Sequence, residues 1–492
     1  MFMKNPDAPL EANMPKLFTL SNFFKSREVL LIQAISTAVW IFLLRLPVLM
    51  GDDRFFANAS GLPAGKQTAG GIIRLIKKLI LEYNGRLADP LGALWFGMGN
   101  NLFRTFMAIN YPLMAFLLTL MLIQLVKLPN LSNAHSYFDP IKLLILANCI
   151  PFLICFIYPT LAGQGVFLFA AIWNYILPIN VILIVLFVGS VTLDSRNTAG
   201  RKIFVTGFIF ALTLSLMMHE ILTIAFAGSV FAFILMVGVK RAFKNYLPLL
   251  LGTAGGTVGK FLTPGLWRRA NRPIRPDDNE IYINYSFGRL RALNGIGFDI
   301  AKHYWVLFLL FSAIVCLVFI KLQKLGVVHK QARIFSVLQF WLSVVWLSFA
   351  NIYIILISSA RTQNLNVSLW IKCFGEALTP LCFIAAIICQ MYVIFVVAKY
   401  IKIFSILYSA LFWTVLATAI ANKWPYVSQA RALYLPALIA GVVIIYGLCY
   451  LVEDMVLASA GFRKLSASLF VLALAFSAIG IFDSSRALWA NY

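Results

Sequence analysis

Acidic residues are scarce in this sequence. Asp and Glu number 18 in 492 residues, against 41 Lys and Arg, for a formal net charge of +23. Charged residues of either sign make up 12% of the chain, roughly half the share in soluble domains. That is too few to cover a solvated surface, which excludes a soluble enzyme. Cysteine is also sparse. There are 7, with no C-x-x-C pair, and all but Cys373 fall inside apolar runs, which excludes a disulfide framework. The 4 His lie far apart without zinc spacing. A nucleic-acid binder would gather its cations on one soluble face. Here they are scattered between apolar runs, so nucleic acid is not an expected partner.

Apolar residues are abundant instead, at 61% of the chain, which excludes disorder. A spanning helix needs about 20 mostly apolar residues. Thirteen runs qualify: Val29–Met50, Met107–Val126, Ile141–Tyr158, Val166–Ser190, Ile203–Met218, Ile221–Val239, Tyr246–Leu262, Tyr304–Ile320, Ile334–Ile357, Leu378–Ala398, Ile403–Ile420, Ala432–Val452 and Ser466–Phe482. The expected fold is an all-α polytopic membrane protein. No A-x-A site follows the first run, so it reads as a signal anchor. With the N-terminus inside, every inside loop is basic, from Lys127 and Lys142 to Arg463 and Lys464. The outside connections Leu161–Gly165 and His219–Glu220 carry no Lys or Arg. This pattern predicts a cytoplasmic N-terminus and an outside C-terminus in a cell (inner) membrane.

Residues 87–126 are too long for one span, and two crossings would put the later basic loops outside. Pro90–Phe103, with Asn100, Asn101 and Arg104 around its end, is therefore expected to lie flat at the outer interface. Before it, Gly71–Glu82 places Ile72, Ile73, Leu75, Ile76, Leu79 and Ile80 on one helical arc and Arg74, Lys77 and Lys78 on the other. The first outer loop, 51–106, thus holds two interfacial helices joined by a turn at Asn84-Gly85-Arg86.

Against so small an acidic inventory, a few positions stand out. Asp52-Asp53 follows the first run directly, either as a general base for a hydroxyl or as a charge pair neutralised by Arg54. Trp173-Asn174-Tyr175 opens a span, as an interface anchor or a sugar platform. His219-Glu220 sits between two apolar runs, where a carboxylate needs a partner. Arg268, Arg269, Arg272 and Arg275 open the second long outer loop, suited to phosphate oxygens or to anionic lipid. Ala254–Phe261 imitates a P-loop, but Phe261 replaces the needed hydroxyl and no strand precedes it. Its Gly252/Gly256 and Gly255/Gly259 pairs read better as helix-packing positions.

Taken together, an acidic pair after span one, two interfacial helices, N-G-R, W-N-Y, a span-edge Glu and P-G with nearby Arg resemble the GT-C class of integral-membrane glycosyltransferases. The nearer resemblance is to the bacterial branch related to O-antigen glucosyltransferases. It covers about Val29 to Arg272, and Leu266 departs from the Asn of that pattern. The resemblance implies sugar transfer from a polyprenyl-phosphate donor to a glycan or lipid acceptor on the outer face. Asp52 or Asp53 would take the acceptor's proton in a single inverting displacement. Arg86, Arg268, Arg269 and Arg272 would meet the donor phosphate. Asn84, Trp173, Asn174, Tyr175, His219 and Glu220 would line the substrate site. Some members of the class use a divalent cation, Mg or Mn, for which Asp53 and Glu220 are the candidate ligands.

The expected organisation is an inside tail (1–28), a catalytic membrane module (29–263), an outer Arg-rich loop (264–302) and C-terminal spans (303–492). A transporter or flippase of lipid-linked glycans, and an O-antigen-type polymerase or ligase, are the competing classes. The first expects related halves, and no internal repeat is found. The second expects Arg and His in a large outer loop, for which His303 is available.

Overall fold

A computed structural model describes residues 20–45, 69–83, 85–96, 100–127, 140–157, 169–192, 198–270, 305–324, 328–362, 402–421 and 434–453, with isolated positions at 326, 381, 384, 385, 388, 389 and 392. All regular elements among them are helical. In chain order they are α1 (Leu20–Lys25), α2 (Arg27–Leu43), α3 (Ala69–Lys77), α4 (Ala88–Phe96), α5 (Asn100–Lys127) and α6 (Pro140–Ile157). Next comes α7, built from Phe169–Ala171, a π-helical turn Ile172–Ile176 and Leu177–Thr192. Then follow α8 (Thr198–Leu216), α9 (Glu220–Val237), α10 (Val239–Asn245), α11 (Leu247–Leu262) and α12 (Pro264–Ala270). The last are α13 (Trp305–Lys324), α14 (Lys330–Thr362), α15 (Lys402–Ala421) and α16 (Tyr434–Glu453).

Among the described residues, six stretches are long and apolar enough to cross a membrane: Leu102–Gln124, Phe169–Ser190, Glu220–Val237, Trp305–Lys324, Lys330–Ile352 and Tyr434–Leu451. Four shorter apolar helices accompany them. The chain is a helical membrane protein on this ground, and its surface agrees. Leu31, Ile203, Phe210, Phe231, Ile334 and Ile355 are all exposed large apolar side chains, a covering that suits hydrocarbon and not water. Each apolar run expected from the sequence lies on a helix wherever it falls within the described residues. Leu378–Ala398, isolated positions apart, and Ser466–Phe482 fall outside them.

α16 is the centre of the bundle. Of its apolar window 89% is buried in protein, against 33% for α14 at the periphery. Elsewhere close approach is bought with small residues. Gly252 and Gly256 of α11 lie against Leu212 and Leu216 of α8, and Gly255 and Gly259 against Thr213 and Met217. The packing expectation for these glycines therefore holds, and the two helices run parallel. A Cβ on Gly256 would sit 2.6 Å from Leu216 Cβ. Gly256→Leu is expected to lower stability by about 1–3 kcal/mol through overpacking, read as a lower unfolding temperature in detergent. Gly207→Leu, at a site with nothing within 4 Å, serves as the control and should cost little.

The segment between α2 and α5 departs from expectation in one respect. α3 and the π-helical turn Lys78–Tyr83 cover the amphipathic stretch, with Leu75 and Leu79 buried and Arg74, Lys77 and Lys78 exposed. The second element, expected as Pro90–Phe103, is instead α4, and Asn100, Asn101, Phe103 and Arg104 belong to the first turns of the long helix α5. The reason is a capping interaction. Arg104 Nη1 donates to Leu44 O at 3.0 Å and Arg45 O at 3.1 Å, satisfying carbonyls at the end of α2. Its guanidinium also lies 5.2 Å from the Phe169 ring centroid. Arg104 is thus held by protein at the end of α2.

Candidate functional site

Gly85 and Arg86 are where the segment between α2 and α5 meets the helix ends. Gly85 has a φ of 67°, a left-handed backbone that glycine adopts without strain. A Cβ there would also meet Thr263 Cγ2 at 2.8 Å and Leu266 N at 2.9 Å. Gly265 fits in reciprocally. Its added Cβ would clash with Ile80 O and lie 2.7 Å from Gly85 N. The N-G-R and P-G motifs, 180 residues apart in the sequence, are therefore packed backbone to backbone, Gly85 on Gly265. Gly265→Ala puts its methyl against backbone that cannot rotate away. It is expected to cost about 1–3 kcal/mol and to raise amide hydrogen exchange in residues 69–96.

This contact delivers Arg86 to Glu220. Arg86 Nε donates to Glu220 Oε2 at 2.9 Å and Oε1 at 3.1 Å, and Nη2 donates to Oε1. Lys260, fully buried at the end of α11, donates to Gly85 O at 2.7 Å and stands 3.5 Å from Glu220 Oε2. Asp89, fully buried in the first turn of α4, interacts electrostatically with Arg86 and Lys260. Two cations and two carboxylates thus balance in one buried cluster. Burial alone lowers the pKa of the Arg86 guanidinium, but the Glu220 carboxylate more than reverses this and the net shift is upward. Glu220 gains a further stabilising term as the first residue of α9, where the helix dipole favours a negative charge.

His219 caps that same helix. Its backbone is extended (φ −152°), and its Nδ1 accepts the Ile221 N–H at 3.3 Å. Thr223 Oγ1 in turn donates to His219 O at 2.9 Å. The His219 ring lies 4.9 Å from Tyr175, and Tyr175 stands edge-on to Tyr434 at 6.1 Å. Tyr434 and Tyr111 share a hydroxyl–hydroxyl hydrogen bond of 2.7 Å, and Trp40 stacks on Tyr111 at 4.0 Å. An aromatic path therefore runs from the charge cluster to the last turn of α2, the helix that leads towards Asp52 and Asp53.

The residues nominated from sequence fall into four groups. Arg86, Tyr175, His219 and Glu220 are brought together. Trp173 and Asn174 face the core. Trp173 is fully buried with Gly92 of α4 pressed on its indole, and Asn174 Nδ2 donates to Ala170 O at 2.9 Å. That corrects the platform reading for Trp173: its ring is a packing surface and presents no face to a sugar. Arg268 is exposed on α12, away from the buried cluster, and Arg269 lies on the same helix. Asp52, Asp53, Asn84 and Arg272 lie outside the described residues. Arg86 also changes role. Its guanidinium grips Glu220, so it acts as a positioning residue and not as a ready phosphate clamp.

Lys260 and Asp89 were missed. Lys260 carries a signal of its own, because a lysine buried within an apolar helix demands a partner. Asp89 carried a weaker one, an acid three residues after Arg86 in an acid-poor chain. For the divalent cation, Glu220 does not fit: its carboxylate oxygens already face Arg86 and Lys260, two positive charges that repel another cation. Among the described residues no group of three or more His, Cys, Asp or Glu could hold a metal ion. Compared with protein-family models, curated proteins and solved structures, the chain matches none.

Proposed function

We propose that the protein is a membrane glycosyltransferase of GT-C type. It transfers a sugar from a polyprenyl-phosphate donor to a glycan or lipid acceptor at the outer face of a cell (inner) membrane. In this reading about thirteen helices cross, the N-terminus is cytoplasmic and the C-terminus outside. One of Asp52 and Asp53 accepts the proton of the acceptor hydroxyl as its oxygen attacks the anomeric carbon. The bond from that carbon to the phosphate oxygen breaks in the same displacement, with inversion. The leaving phosphate needs positive charge, which Arg268, Arg269 and Arg272 at the mouth of the second outer loop are the residues to supply. Arg86, Glu220 and Lys260 do not touch the reacting atoms. They hold the first outer segment against the start of that second loop.

What supports the reading is the meeting of three separated motifs, N-G-R, the span-edge Glu220 and P-G, at one end of the bundle. A transporter's polar groups belong near the bilayer midplane. The test is direct. Purified protein in vesicles is given polyprenyl-phosphate sugars and, separately, nucleotide sugars, with lipid and glycan acceptors. Transfer from the polyprenyl donors alone is the expected result. Transfer from nucleotide sugars alone, or movement of intact lipid-linked glycan across the vesicle without transfer, defeats the proposal.

A further inference from the structure

The end of the bundle opposite the charge cluster has its own chemistry. Because α8 and α11 run parallel, the start of α8 and the connector α10 are both at that far end. Gly238, at φ 90°, breaks the chain between α9 and α10, a backbone that L side chains rarely adopt. The seven residues of α10, VKRAFKN, then sort onto three faces. At about 100° per residue, Lys240, Arg241 and Lys244 share one arc and all are exposed. Ala242, fully buried, marks the face turned to the protein. Val239 and Phe243 share the third arc, 56% and 55% exposed.

A helix in water has no use for a third, apolar and exposed face. One lying at a bilayer surface has: the protein on one side, hydrocarbon on the second, headgroups on the third. The apolar arc of α10 adjoins its basic arc, which is the order that the acyl-to-phosphate boundary of a lipid requires. The start of α8 repeats the combination, with exposed Lys202 beside exposed Ile203 and Phe204. The charge is also uncompensated locally. Between Glu220 and Asp277 the sequence contains no acid, and none lies between Asp194 and Glu220. Among the described residues none pairs with Lys240, Arg241 or Lys244.

We infer that α10, with the start of α8, is a docking site for anionic phospholipid, its cations on the lipid phosphate and its Val239 and Phe243 among the acyl chains. The site is independent of the transferase reading, since it needs only a membrane. Three exposed cations each contribute roughly fivefold to binding at an anionic surface.

The test uses the full chain in mild detergent, titrated with phosphatidylglycerol, phosphatidylcholine or inorganic phosphate, and followed by thermal unfolding and native mass spectrometry. Phosphatidylglycerol is expected to bind and to raise the unfolding temperature, and the other two to do neither. Lys240→Gln/Arg241→Gln/Lys244→Gln, all at exposed positions, should weaken phosphatidylglycerol binding about a hundredfold. Phe243→Ser alone should weaken it while leaving all three cations in place. Equal protection by phosphatidylcholine, equal protection by inorganic phosphate, or undiminished phosphatidylglycerol binding by the triple variant would each overturn the inference. Should the triple variant fail to fold, Phe243→Ser decides: unchanged binding overturns the site and weakened binding supports it.

Discussion

Glu220→Gln is expected to destabilise the protein by about 3–5 kcal/mol, the usual penalty for removing one partner of a buried ion pair. The amide keeps the side chain's size but not its charge. Arg86, only 12% exposed, and Lys260, fully buried, then face each other across a neutral group, with Asp89 as the nearest remaining acid. Their repulsion is felt in a medium of low dielectric. Equilibrium unfolding in detergent and urea measures the loss. The quadruple change Arg86→Met/Asp89→Leu/Glu220→Leu/Lys260→Met should be less damaging than Glu220→Gln alone, because an apolar replacement of all four charged groups leaves no uncompensated charge. If the quadruple variant were the worse of the two, the cluster would be held by shape and not by charge. A transfer assay on Glu220→Gln is expected to show reduced activity as well, since the loop that Arg86 anchors begins just after the segment holding the aspartate pair.

Asp52→Asn or Asp53→Asn is expected to lower the rate of sugar transfer by about 10²- to 10⁴-fold, the range for loss of a general base. Asp52 is the first choice. The pair follows α2, whose last carbonyls are held by Arg104. The segment thus starts from a fixed point, although the aspartates themselves lie outside the described residues. The unfolding temperature is expected to stay within a degree or two of the parent. The separation of rate from stability distinguishes a reacting carboxylate from a structural one. Full activity in both variants would end the mechanism.

Helical class and the placement of apolar runs were legible in the sequence because both rest on local composition and length. The motifs at the site were legible as well, as separate marks. What joined them was not. The closeness of Gly85 and Gly265 depends on two backbones meeting, and a glycine's lack of a side chain says only that something approaches, not what. The same limit explains Arg86. A free guanidinium and one held by Glu220 look identical in sequence, and the pairing follows from the end positions of α9 and α11. For Trp173, the deciding contact is Gly92 against its indole, a pairing between separate helices that sequence does not show. Arg104 is a further case: its sequence neighbourhood does not show that the carbonyls ending α2, some 60 residues earlier, accept its guanidinium.

The centrality of α16 bears on how the protein is made. Gly441 of α16 packs on Ile150 of α6, and Tyr434 reaches Tyr111 of α5. Gly228 of α9 likewise receives Trp413 of α15. The most buried apolar helix is thus synthesised after all the other described ones. The contacts of α5 and α6 with α16 therefore require the last described helix. The aromatic path from Trp40 to His219 is continuous only with Tyr434 in place.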